Sequence, residues 1–174
     1  MIPLSPALLI ACACGRLSGR TTYACTFDRD HRRQSLILPA HDDEAASMRF
    51  INAVGYVAHL DLETGLSSWP IPFLDTVQQL ACFGYQRRLV HDTPKFGDLV
   101  MQWNGERNRF TQVGIVVSVF GGEEGVARCR TLNAHRRGTL ARQAPFTPES
   151  GDQFLRWVDL DRRDRFGMVL WDAA

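Results

Sequence analysis

Lys95–Phe120, KFGDLVMQWNGERNRFTQVGIVVSVF, decides how this chain is read. Asn104–Asn108 (NGERN) is a polar turn between two segments with strand character, and Val113–Phe120 is an apolar run rich in β-branched residues. An uninterrupted run of that kind fits a central strand buried on both faces. Strands are therefore expected at Asp98–Trp103 and Val113–Phe120, then a turn at GGEEG (Gly121–Gly125) and a third strand at Ala127–Leu132. Beyond them NAHRRGTLARQ (Asn133–Gln143) reads as a basic loop. Phe154–Val158 and Met168–Trp171 read as two further strands around the self-neutralising turn DLDRRDR.

Upstream the period changes. HDDEAASMRFINAVGYVAHLDL (His41–Leu62) is the best helix: Asp42 or Asp43 can cap its start, and Glu44 complements the dipole in the first turn. Met48, Ile51, Val54 and Ala58 recur at helical spacing as a core-facing stripe. Gly65 ends that region. A second helix is expected from Pro72 through FLDTVQQLACFGYQRRL, with Phe73, Val77, Leu80 and Gly84 on its buried side and Arg87 and Arg88 in its last turn. PALLIACAC (Pro6–Cys14) reads as a buried strand or a short helix. TTYACTF and SLIL read as strands around a turn at Asp28–Asp30, with Pro39 closing the second.

Helices first and strands afterwards is an α+β order. The expected architecture is one domain, 1–174, in which N-terminal helices pack on a small antiparallel β-barrel or meander. Residues 1–93 form a mixed, mainly helical half and 94–174 the barrel half. The length suits one core, and 45% hydrophobic content is ordinary for a globular chain. A formal net charge of +1 supplies no overall field for nucleic acid or an anionic membrane, although Lys95 is the single lysine against nineteen arginines. Five cysteines without regular spacing do not read as a disulfide framework. LIAC (Leu9–Cys12) matches a lipoprotein cleavage box only superficially, since no Lys or Arg precedes it and the apolar stretch is short. No run approaches the ~18 apolar residues of a membrane span. A cytoplasmic location, or a place in a particle, is expected, with no cofactor and no membrane contact.

The segment TPKFGDLVMQW, then TQVGIVVSV, then CRTLNAH, resembles the C-terminal half of NlpC/P60 and CHAP-type proteins. These are papain-like cysteine hydrolases, many of them peptidoglycan hydrolases of bacteria and phages. The resemblance covers about 40 residues directly, and two preceding helices bring the order of elements into agreement over roughly 130. GDLV, turn, GIVV is also written by SH3-like barrels of unrelated proteins.

The resemblance implies a thiolate at a helix start, an imidazole holding the ion pair and a polar group orienting the ring. In the cysteine slot stands Ser47, in the histidine slot Gln112, and in the orienting slot Asn133. An amide accepts no proton near neutral pH, so these are vestigial slots for that mechanism. The alternative dyad elsewhere is Cys82 with His135, although Cys82 also reads as a small apolar core residue. Cys12, Cys14, Cys25 and His31 carry zinc-ligand chemistry without paired C-x2-C spacing. Arg136 and Arg137, beside Arg128 and Arg130, are the candidate binding residues for phosphates on a barrel rim. Asp98 is expected to make turn or strand-end hydrogen bonds.

Three functional expectations follow. The first is a non-catalytic structural or protein-interaction module on an NlpC/P60-like barrel, such as a phage tail or neck component. The second is a cysteine hydrolase of the peptidoglycan amidase or peptidase type with a rearranged site. The third is a nucleic-acid-binding SH3-like barrel.

Overall fold

The computed structural model describes residues 3–17, 23–29, 32–38, 43–121, 127–133, 142–146 and 151–160. In chain order these form α1 (Pro6–Leu17), the strands β1 (Tyr23–Arg29) and β2 (Arg32–Leu38), α2 (Asp43–Ala58) and α3 (Val77–Gln86). Six strands follow: β3 (Val90–His91), β4 (Leu99–Asn104), β5 (Arg109–Gly121), β6 (Ala127–Asn133), β7 (Arg142–Phe146) and β8 (Gln153–Leu155). A 3-10 turn at Trp157–Asp159 closes the described chain. The mixed α+β class is as expected. Among the described residues no helix is long and apolar enough to cross a membrane.

β1 and β2 form a two-stranded antiparallel pair. The other six make one antiparallel sheet in the order β3-β8-β4-β5-β6-β7. That sheet is open among the described residues, and it is not a simple meander: β8, from the far end of the chain, inserts between β3 and β4. α2 and α3 both pack on β5, and α1 packs on α2. The expected stripe of α2 holds at Met48, Ile51 and Val54, which are buried and joined by Phe50, while Ala58 at its end is half-buried.

The sheet separates two apolar clusters, because successive residues of a strand point to opposite faces. On the helix side Leu99, Met101, Phe110, Val113, Ile115 and Leu155 join the residues of α1, α2 and α3. On the other side Val100, Val116, Cys129 and Phe154 form the second cluster. The expectation for Val113–Phe120 is met over its first half, Val113–Val116, which is buried on both faces. It fails over the second: Val119 and Phe120 are each 41% exposed where β5 outruns its cover.

Local chemistry explains the boundaries that moved. α3 starts at Val77 and not near Pro72, because Thr76 and Gln79 make a capping box: Thr76 Oγ1 accepts from Gln79 N while Gln79 Oε1 accepts from Thr76 N. Its end is set by Arg87 as C-cap and Arg88 in the left-handed region at φ 57°, so neither arginine lies within the helix. PALLIACAC resolves as helix. NGERN turns as expected, with Asn104 Oδ1 accepting from Arg107 N and Asn108 left-handed at φ 51°. The basic loop is shorter than expected, since β7 begins at Arg142. Phe154–Val158 is three residues of strand followed by the 3-10 turn. Met168–Trp171 lies outside the described residues.

Gly97 precedes β4 at φ +85°, and a methyl group there would overlap the Pro6 ring. Asp98, next in chain, does make the expected local bonds, accepting from Lys95 N at 2.8 Å. Its main partner lies 58 residues on: Arg156 donates Nε to Oδ1 at 3.3 Å and Nη2 to Oδ2 at 3.1 Å, and Nη2 also reaches Thr93 O. Burial lifts the Asp98 carboxyl above its ordinary value, against the downward pull of Arg156, the Lys95 N–H and His91.

Replacing Arg156 by Met leaves that buried carboxylate without its counter-ion, so it should lower folding free energy by about 3–5 kcal/mol in urea denaturation at neutral pH. Because the Asp98 pKa is raised in the folded state, proton uptake relieves the charge. The loss should therefore shrink as pH falls through that raised value.

Candidate functional site

Among the described residues β6 pairs with β5 as far as Asn133 opposite Gly114. Residues 109–113 of β5 extend past that point with their outer backbone groups facing the helices. An unpaired buried N–H costs as much as a lost hydrogen bond, and here side chains of α2 and α3 accept from the backbone of β5. Ser47 Oγ accepts from Val113 N at 3.3 Å and donates to Glu44 O at 2.9 Å. Gln78 Oε1 accepts from Phe110 N at 3.2 Å. Glu44 Oε2 accepts from Arg109 Nη2 at 2.8 Å, tying the start of α2 to the start of β5. Glu44 Oε1 is buried without a hydrogen bond among the described residues.

Ser47 and Gln112 lie near one another at β5 but do not form a reactive pair. Ser47 is 1% exposed, and its hydroxyl proton is already given to Glu44 O. Gln112 pairs in register with Gln102, while Val113 faces the helices. By strand alternation Gln112 therefore stands on the sheet face opposite α2. Asn133 occupies the register position of Gly114, two residues from Gln112. Ser47 meets a backbone amide, not the Gln112 amide.

No described histidine supplies a base here. His91 starts a cross-strand row of His91, Phe154, Val100 and Gly114. Three strand spacings put it roughly 14 Å from the Gly114 position. His59 is fully buried elsewhere, with both ring nitrogens bonded to backbone.

The thiols are dispersed. Cys82 is exposed on α3, which corrects the core reading, because the buried side of that helix carries Val77, Leu80, Ala81 and Gly84. Its Sγ lies 4.0 Å from Gln78 Nε2. His135, its expected partner, lies outside the described residues, as do Arg136 and Arg137. Cys129 is buried, and burial pushes its thiol up to about 11, so it is protonated at neutral pH.

Of the zinc set, Cys12 and Cys14 sit two positions apart on α1, about 200° around a helix of 3.6 residues per turn. Cys12 packs against the core while Cys14 faces out, so the two do not form half a metal site. Cys25 belongs to β1, and His31 is outside the described residues. Among the described residues no group of three or more His, Cys, Asp or Glu side chains converges.

Gln78, the Glu44–Arg109 pair and Arg156 went unread in the sequence, where each is an ordinary surface-type residue; only Glu44, as a first-turn acid, carried a signal. Comparison with family models, with curated proteins and with solved structures finds no match to this chain.

Ser47→Ala strands the Val113 N–H and should cost about 1–3 kcal/mol in denaturant-induced unfolding. In native protein a thiol reagent at neutral pH should modify Cys14 and Cys82 and spare Cys129 until the chain unfolds, as read by mass spectrometry of the labelled peptides.

Proposed function

We propose that this chain is a non-catalytic structural or protein-interaction module on an NlpC/P60-like scaffold, of the kind that serves as a component of a larger particle such as a phage tail or neck. The observation that carries the reading is the Ser47 hydroxyl. In the slot where the resemblance implies a nucleophile, the side chain holds a helix to a sheet edge, with its proton committed to Glu44 O and its lone pair to Val113 N. Gln112, in the base slot, is an amide on the other face of the sheet. The β4–β5–β6 order, with GDLV leading into β4 and VGIVV within β5, supports the scaffold assignment.

A module of this kind acts by contact. The loop from Asp61 to Leu66 presents Leu62 at 88% and Leu66 at 71% exposure, the two most exposed large apolar side chains described. It is not a slack loop. Asp61 Oδ1 accepts from Glu63 N and Thr64 N, and Asp61 N donates to Leu66 O, so the two leucines are held on a fixed turn. A preformed apolar projection loses little conformational entropy on docking.

Two measurements test the reading. Purified chain incubated with peptidoglycan and with model peptide amides should release no new amines. The double variant Ser47→Cys, Gln112→His should gain none, because position 112 lies across the sheet from position 47. Turnover by the native chain that is lost on changing Cys82 would sink the proposal. Cross-linking of tagged chain in extract of its source cells should give partner adducts at residues 61–66, and the variant Leu62→Asp, Leu66→Asp should lose them with its unfolding midpoint unchanged.

A further inference from the structure

His59 follows the last residue of α2 and is fully buried. Its Nδ1 lies 3.0 Å from Gly55 O, one helical turn back, and its Nε2 accepts from Ser5 N at 3.2 Å. A carbonyl only accepts and a backbone N–H only donates, so the two bonds define the ring: neutral, with the proton on Nδ1 and the lone pair on Nε2. Ser5 is the residue before α1. Its N–H reaches the ring, its hydroxyl accepts from Leu8 N and its carbonyl accepts from Leu9 N. The first turn of α1 is therefore anchored to the core through one imidazole lone pair.

The indoles of Trp69 and Trp157 enclose that ring, stacked at 5.4 Å and edge-on at 5.3 Å between centroids. The same segment also makes apolar contact with the core: Leu9 and Ala13 are buried, and Leu4, Ile10 and Cys12 pack against the same cluster.

We propose that His59 is an acid-sensitive latch for the N-terminal helix: protonation at Nε2 replaces the acceptor for Ser5 N–H with a second donor, and α1 undocks while the sheet and the other helices stay folded. The groups acting on the ring are identifiable from each side. Ser5 faces it from just before α1, Gly55 from α2, Trp69 from the loop and Trp157 from the 3-10 turn. The ionisable residues on those elements are Cys12, Cys14 and Arg16 on α1, Asp43, Glu44, Arg49 and Tyr56 on α2, Asp61 and Glu63 in the loop, and Arg156 and Asp159 at the 3-10 turn, with Arg156 committed to Asp98 and Glu44 to Arg109.

Among the described residues no charged side chain contributes to the ring's proton affinity. Burial lowers it from the ordinary value of 6.5, and the bonds to Gly55 and Ser5 only partly offset that. The docked ring therefore binds a proton less readily than the released one. Docking is fully present above the ordinary histidine range and is lost as pH falls below it. Release uncovers Leu9 and Ala13 together with the core surface they cover, which is an apolar face displayed only in acid.

The test is hydrogen exchange of the full chain by mass spectrometry between pH 7.5 and 5, corrected for intrinsic rates. Protection across residues 5–17 should fall on the order of ten-fold or more over that range, as expected for one proton linked to opening. Protection in α2 and β5 should hold. His59→Gln, which does not titrate, should show no pH step in residues 5–17. A flat wild-type profile, an equal loss in α2 and β5, or the same step in His59→Gln each overturns the proposal. Should that variant fail to fold, the His59 ring proton resonances of the native chain decide. They must titrate at the midpoint of the α1 transition, and a different midpoint refutes the latch.

Discussion

Trp157 is the contact on which the remaining elements are assembled. It is fully buried, its Nε1 donates to Gly97 O at 2.8 Å, and its ring lies 4.8 Å from that of Trp69 and 5.3 Å from that of His59. Through those three contacts the end of the described chain fixes the entry to β4, the loop after α2 and the end of α2 itself. The glycines around it serve close approach: Gly97 admits Pro6 of α1, and Gly55 admits the Trp69 indole, which a methyl group there would overlap. The adjacent Arg156 adds a buried ion pair to Asp98, so one short segment, Phe154–Trp157, supplies a strand, a counter-ion and a keystone ring. Loss of the strand would be felt on both sides of the sheet, because Phe154 and Leu155 belong to different apolar clusters.

The edge of β5 has a different logic. A strand that outruns its neighbour leaves backbone donors to be satisfied, and polar side chains from packed helices are one way to do so. Ser47 and Gln78 fill that role here. Ser47 is thereby a structural joint between α2 and β5. A hydroxyl that donates to one carbonyl and accepts from one amide has no proton free to transfer. Among the described residues no imidazole stands beside it: His91 is at the far side of the sheet and His59 in the Trp157 hub.

Much of the local structure was legible in the chain. Asn104 and Asn108 in NGERN, the stripe Met48–Ile51–Val54, and the β-branched run from Val113 each translate into structure by short-range rules. The errors have the same physical origin. Pro72, a permitted first-turn residue, suggests an earlier start for α3, while the capping box of Thr76 and Gln79 decides the boundary. Cys82 was read as core from its helix, but the buried stripe of that helix is set by what it packs on. Two strands, β3 and β7, were missed because they are short and held by pairing partners distant in sequence.

The amino-acid order alone therefore determined the α+β class, the sheet's central strand, the main helix and the absence of a histidine from the slot before Val113. Those follow from periodicity and from side-chain chemistry, which act over a few residues. Only the tertiary structure decided that Ser47 is a cap for a sheet edge, that Gln112 faces away from it, that Asp98 pairs with Arg156 and that His59 receives Ser5. Each of these joins residues far apart in the chain. Which partner a polar side chain finds is settled by which backbone amide packing brings to it or by the ring whose lone pair points inward, and neither is written in local sequence.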